Sequence, residues 1–130
     1  MKKLVFVSGI WNFALGAGLL VPAIAEGIGM RIPHPFWGWL VCGFLWFTSA
    51  VLIMASRDLK RRASFVYWEA FLRYIAAALL LTIGPEVFGW PSWFIGITDL
   101  TWGLLYTFGL PVALNTSHAK LLLDSGEEHN

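Results

Sequence analysis

Four long apolar runs constrain the fold of this chain more than any other feature. They cover residues 4–25, 36–56, 65–84 and 93–114. Each is about 20 residues long, which lets a helix cross roughly 30 Å of hydrocarbon. The links between them are short, so neighbouring helices should be antiparallel. The runs therefore predict an all-α fold: an integral membrane four-helix bundle with short loops, in which residues 1–130 form a single transmembrane domain.

The composition agrees with a membrane chain. Hydrophobic residues make up 58% of the sequence and charged residues only 13%, whereas soluble domains are about half apolar and a quarter charged. The start, "MKK" followed by an apolar run, Pro22 and "AIA" at 23–25, resembles a secretory signal with a cleavage site. The run before Pro22 is longer than a usual signal core and contains Asn12, so we interpret it as the first span.

The basic residues predict the orientation. One side carries seven of them and the other side only Arg31. The seven are Lys2, Lys3, Arg57, Lys60, Arg61, Arg62 and Lys120. Basic residues concentrate in cytoplasmic loops, so we expect a multi-pass protein of the cell inner membrane with both termini cytoplasmic. The segment "SRDLKRR" at 56–62 is either a topology anchor or a grip on anionic lipid. The net charge of +1 gives no indication of nucleic-acid binding.

Four polar residues lie inside the spans: Asn12, Glu69, Arg73 and Asp99. Glu69 and Arg73 are four residues apart, and the lean of helical side chains toward the N-terminus brings Arg73 onto Glu69. We therefore predict that they form the main intramembrane ion pair. Asp99 leans the opposite way on an antiparallel span, so an Arg73–Asp99 contact is not expected. Left without a cation, Asp99 is either a binding or proton-handling group or a hydrogen-bonding link between helices.

Aromatic residues extend this candidate site. Trp102 and Tyr106 share a helix face with Asp99, and Trp11, Trp46 and Trp102 lie deep in the spans. These rings either pack helices together or wall a pocket for an apolar ligand. Spans one and four share the pattern Gly-Ile-x-polar-x-x-x-Gly, in "GIWNFALG" (9–16) and "GITDLTWG" (96–103). The match is either a trace of inverted symmetry or a coincidence in a glycine-rich membrane chain.

Other chemistries have little support in the sequence. The single cysteine, Cys42, excludes an internal disulfide and a two-cysteine redox shuttle. His34 with scattered acidic residues makes a poor metal site, so no metal and no cofactor is predicted. In the tail 115–130, Thr116 or Ser117 should cap a short amphipathic turn through "AKLLL", and disorder is expected from Asp124 onward.

The layout resembles a known group of proteins. The four spans, the "SRD" loop entering a basic stretch, the charged third span and the "TDL" start of the fourth are similar to those of small bacterial membrane proteins of the DoxX-like kind. The resemblance implies a four-helix bundle in a bacterial inner membrane, sometimes linked to redox or respiratory partners, and it carries over no site residues. Small multidrug transporters resemble the chain less, because they carry a carboxylate in the first span, where this chain has Asn12.

Two functions follow as hypotheses. The first is a non-enzymatic accessory or partner-binding membrane component, since no catalytic motif is present. The alternative is a small transporter or lipophilic-ligand binder with a pocket around Asp99. A membrane enzyme is a third, weaker reading. The expected partners are membrane lipid and either further copies of the chain or a larger membrane complex.

Overall fold

The computed structural model describes residues 1–124 and is helical, with no strand among them. Seven helices follow one another within this part of the chain. They are α1 (Lys2–Leu20), α2 (Pro22–Gly27), α3 (Pro35–Arg57), α4 (Leu59–Thr82), α5 (Gly84–Phe88), α6 (Pro91–Leu114) and α7 (His118–Leu122). Helices α1, α3, α4 and α6 are long and apolar enough to cross a membrane. The chain is therefore a multi-pass membrane protein built on a four-helix bundle.

Prolines and caps set the helix ends. Helix α1 ends at Leu20, earlier than the predicted end of the first span at residue 25, because Val21 precedes Pro22 and adopts an extended conformation. Pro22 then starts the short α2, where a missing N–H is tolerated. At the start of α3, His34 accepts a hydrogen bond from the backbone N–H of Phe36 through Nδ1, at 3.1 Å. These local signals place a bend where the apolar run alone predicted a continuous span.

The basic stretch after α3 is helical. Asp58 separates α3 from α4 as a turn of one residue, and α4 begins at Leu59. Most of the residues expected to form a loop at 56–62 therefore belong to the last turn of α3 or the first turn of α4. Arg62 bonds back to the carbonyl of Met54 at 2.8 Å and helps to close this turn. We call this end of the bundle, with the chain start and α7, the basic end.

The long helices pack as two antiparallel pairs. Helices α1 and α3 form the first hairpin, α4 and α6 form the second hairpin, and α3 contacts α4 less extensively. Glycines allow the close approach inside each pair: Gly9 and Gly16 face α3, while Gly96 and Gly103 face α4. At the end opposite the basic end, the two links touch, because the backbone N–H of Arg31 bonds to the carbonyl of Phe88 at 2.7 Å.

The interior has two apolar layers. One, near the basic end, includes Val5, Leu52, Val66 and Leu110, and the other, near the opposite end, includes Leu19 and Ile95. Many large apolar side chains point outward from all four long helices, as expected for surfaces that face lipid rather than water. A polar group of residues lies near the middle of the bundle, and it contains most of the candidate site.

Candidate functional site

Arg73 is the centre of the site. Its side chain, on α4, is only 3% exposed, and its guanidinium donates three hydrogen bonds to three different residues. Nε donates to Glu69 Oε2 at 2.7 Å, Nη1 to Asp99 Oδ1 at 3.0 Å and Nη2 to Asn12 Oδ1 at 3.2 Å. The planar, forked guanidinium suits this geometry because its N–H groups point in different directions. One side chain thereby connects α1, α4 and α6.

The predicted Glu69–Arg73 pair is confirmed. The two residues are one helical turn apart on α4, and their contact at 2.7 Å is the shorter of the two ion pairs that Arg73 makes. Both side chains are buried. A charge-assisted hydrogen bond of this length is stronger than a neutral one, and both groups need it because water cannot solvate them.

The expectation that Asp99 lacks a cationic partner was wrong. Asp99 forms an ion pair with Arg73 at 3.0 Å, across the second hairpin. The lean of a helical side chain fixes where it starts but not how far a long arginine extends. In addition, Gly96 and Gly103 lie on either side of Asp99 and bring α6 close to α4: a Cβ on Gly103 would lie 2.9 Å from the Tyr74 ring. Asp99 thus belongs to the same cluster as Glu69.

Asn12 joins the first hairpin to this cluster. Its carbonyl oxygen accepts from Arg73, and its amide nitrogen donates to Thr48 Oγ1 at 3.0 Å. Thr48 in turn donates to the carbonyl of Leu45 at 3.0 Å. Asn12 and Asp99 occupy the same position in the pattern shared by spans one and four, and both accept from Arg73. The shared pattern therefore corresponds to a shared contact.

Tyr106 continues the cluster toward the basic end. It is fully buried, its ring lies 5.6 Å from the Arg73 guanidinium carbon, and its hydroxyl is hydrogen-bonded to that of Ser8. Ser8 also donates to the carbonyl of Val5 at 2.8 Å. Trp102 packs beside Tyr106, with 6.3 Å between ring centroids. We call the connected residues the central polar cluster: Ser8, Asn12, Thr48, Glu69, Arg73, Asp99 and Tyr106.

Sequence reasoning missed two members of the central polar cluster. Ser8 lies four residues before Asn12, so helical spacing could have placed it on the same face. Thr48 carried no comparable signal, because intramembrane threonines commonly bond to the carbonyls of their own helix, as Thr98 and Thr101 do here.

Two predicted aromatic residues lie outside the central polar cluster. Trp46 stacks on Phe13 at 5.2 Å and donates its indole N–H to the Phe13 carbonyl at 3.2 Å. Trp11 contacts Phe94 edge to face, and its buried indole nitrogen has no hydrogen-bond partner within the described part of the chain. These two rings therefore pack the helices, and they do not combine with Trp102 into one aromatic wall.

A narrow crevice of about 70 Å³ leads to the central polar cluster. It lies between α3 and α4, with the exposed apolar side chains Phe44 and Leu72 beside its mouth, and it reaches Asp99, whose side chain is 14% exposed. Two carboxyl groups share one guanidinium here, so the fully ionised cluster would carry a net charge of −1. A proton or a small cation would make it neutral, which a low-dielectric interior favours. Nowhere in residues 1–124 do three His, Cys, Asp or Glu side chains converge as metal ligands.

The chain matches no family model, no curated protein and no solved structure. Its function is therefore inferred from the residues and geometry described above.

Proposed function

We propose that this protein is a non-enzymatic accessory or partner-binding component of a membrane. One observation carries the proposal: the polar groups at the centre of the bundle are bonded mainly to one another. Arg73 distributes its hydrogen bonds over Glu69, Asp99 and Asn12. Side chains with their hydrogen bonds satisfied in this way connect the helices of a bundle, and binding a substrate would require breaking them.

The size of the crevice supports the same proposal. Pockets for drug-sized ligands occupy about 300–1,000 Å³, whereas the crevice at Asp99 measures about 70 Å³. A water molecule takes up about 30 Å³ of liquid volume, so this space suits one or two waters. A lipophilic ligand would need α3 and α4 to separate.

The proposal includes the membrane and the assembly. The seven-to-one distribution of basic residues supports a bacterial inner membrane with both termini in the cytoplasm. The resemblance to DoxX-like proteins in layout is consistent with that location. A partner chain, or a second copy, would contact the apolar outer faces of the long helices.

Crosslinking in the native membrane tests the proposal. A photo-reactive amino acid would replace Phe47 on α3 or Phe108 on α6, both of which are exposed, and buried Leu52 would serve as the control position. We expect a discrete crosslinked product from one exposed face, and a matching stoichiometric complex after purification in mild detergent. Crosslinks to lipid alone, together with a single chain in native nanodiscs, would contradict the proposal.

The charge imbalance at Arg73 favours a second candidate, a carrier of protons or small cations. In this case Asp99 would be the group that exchanges its proton or cation through the crevice. Proteoliposomes with a pH-sensitive dye inside would report such transport. The carrier hypothesis expects flux that Asp99→Asn abolishes in a folded protein, whereas the accessory hypothesis expects no flux and an intact complex in the same variant.

A further inference from the structure

A second, larger pocket lies at the basic end, away from the central polar cluster. Its volume is about 270 Å³, and its walls come from the start of α4, the end of α6 and α7. Its polar lining includes Lys60, Arg61, Ser64, Asn115, Thr116 and Lys120. This pocket takes no part in the proposed accessory function.

The chain reversal after α6 builds the pocket. Helix α6 ends at Asn115, which adopts the left-handed conformation with φ of 50° and thereby redirects the backbone. Ser117 then caps α7 by accepting from the backbone N–H of Lys120 at 3.2 Å, as the sequence predicted. The buried side chain of Leu121 fixes α7 against the bundle. The pocket wall is thus held by a cap and an apolar anchor.

Two aromatic residues of α4 also hold α7 in place. The indole N–H of Trp68 donates to the carbonyl of Leu122 at 2.9 Å, and the hydroxyl of Tyr67 is hydrogen-bonded to His118 Nδ1 at 2.9 Å. These bonds connect α7 to the helix that supplies Lys60, Arg61 and Ser64. The three walls therefore keep a fixed relation to one another.

The lining is positively charged. Three cationic side chains face one carboxylate, Asp124, so the described lining carries a net charge of +2. Arg61 lies 4.0 Å from Asp58, which is too long for a hydrogen bond, and both side chains are well exposed. Arginine and lysine N–H groups, with the hydroxyl of Ser64 and the amide of Asn115, are suitable donors for phosphate oxygens.

The position of the pocket indicates the source of that phosphate. Leu122 and Leu123 of the α7 segment are exposed and apolar, and Trp68 beside them is an aromatic ring of the kind that lies at headgroup level. The pocket itself also contains the apolar side chains of Leu114 and Leu121. A cationic rim beside an apolar wall matches a molecule with an anionic head and acyl chains. We propose that this pocket binds the phosphate-bearing head group of an anionic phospholipid.

The test uses the purified full-length protein in a neutral detergent, titrated with phosphatidylglycerol and followed by native mass spectrometry. We expect a saturable first lipid adduct. Each basic residue at a membrane surface changes binding about fivefold, so Arg61→Gln/Lys120→Gln should weaken this adduct by about 25-fold. The matched control is Lys2→Gln/Lys3→Gln, which removes two charges from the same end but outside the pocket; it should bind as the parent does.

Three results would overturn the proposal. Equal weakening in the control variant would show diffuse attraction to the basic end. Phosphatidylcholine that binds as tightly as phosphatidylglycerol would show that the anionic charge is not recognised. Inorganic phosphate that displaces the lipid at matched concentration would identify a soluble anion as the ligand. Thermal unfolding of each variant without lipid shows that the substituted protein is folded.

Discussion

Within each hairpin the helices meet at glycines, whereas between the hairpins the middle of the contact is polar. In the first hairpin, a Cβ on Gly9 would lie 2.9 Å from Ile53 Cγ1. Between the hairpins, Arg73 reaches Asn12 and Tyr106 is hydrogen-bonded to Ser8. Short links already keep the two helices of a hairpin near each other, so close packing suffices. The hairpins need directional bonds, because lipid competes equally well for any apolar surface.

Removing the cation should have the largest effect on this comparison. Arg73→Met leaves Glu69 and Asp99 buried without a positive partner, and breaking a buried pair typically costs about 3–5 kcal/mol. We expect a loss of that order in the free energy of unfolding, measured by denaturant titration in detergent with tryptophan fluorescence.

The control for this loss is the variant without charges, Glu69→Gln/Arg73→Met/Asp99→Asn. It should recover most of the stability, since no uncompensated charge remains in the bundle. The double variant Glu69→Gln/Arg73→Met should recover less, because Asp99 also pairs with Arg73. Additive losses across the set would mean that the three charges are not coupled.

Gly9→Val tests the close packing inside the first hairpin. The added atoms would press on Ile53, Leu52 and the carbonyl of Ser49. Overpacking of this kind costs about 1–3 kcal/mol, which thermal unfolding in the same detergent would measure. Gly43→Val is the matched control on α3, because a Cβ at Gly43 meets nothing within 4 Å. Equal losses in both variants would mean that helix propensity, and not packing, causes the effect.

Asn12→Ala should weaken the contact between the hairpins by a smaller amount. The change removes the acceptor for Arg73 Nη2 and the donor to Thr48. We expect a loss of about 1–2 kcal/mol, with hydrogen exchange rising at α1 and α3. Thr48→Val keeps the Arg73 contact and should therefore cost less; a larger loss in that variant would contradict the assigned roles.

The smallest expected effect is at the hydroxyl pair. A double-mutant cycle with Ser8→Ala and Tyr106→Phe should give a coupling of about 0.6 kcal/mol, the average for hydrogen bonds between membrane helices. The cycle would use the same unfolding measurement. A coupling near zero would assign the burial of Tyr106 to packing around its ring alone.

Residue periodicity and span length were enough to predict the four long helices and the Glu69–Arg73 pair, because both depend on geometry within a single helix. The Arg73–Asp99 contact depends on how closely α4 approaches α6, and the direction of the side chains alone gave the wrong answer. The bend at Val21 and the helical start of α4 at Leu59 depend on single residues at the boundaries. The roles of Trp11 and Trp46 required knowledge of which helices are neighbours.

The spacing of Arg73 from its partners along the chain has a consequence for biogenesis. Glu69 belongs to the same helix, Asp99 follows 26 residues later and Asn12 precedes by 61 residues. When α4 leaves the ribosome and enters the bilayer, its arginine can therefore enter already neutralised, which lowers the penalty of insertion. Asn12 is by then in the membrane with the first hairpin. Asp99 arrives last, so its carboxylate meets a preassembled cation, and the final helix is drawn into the bundle by a contact that the earlier helices have prepared.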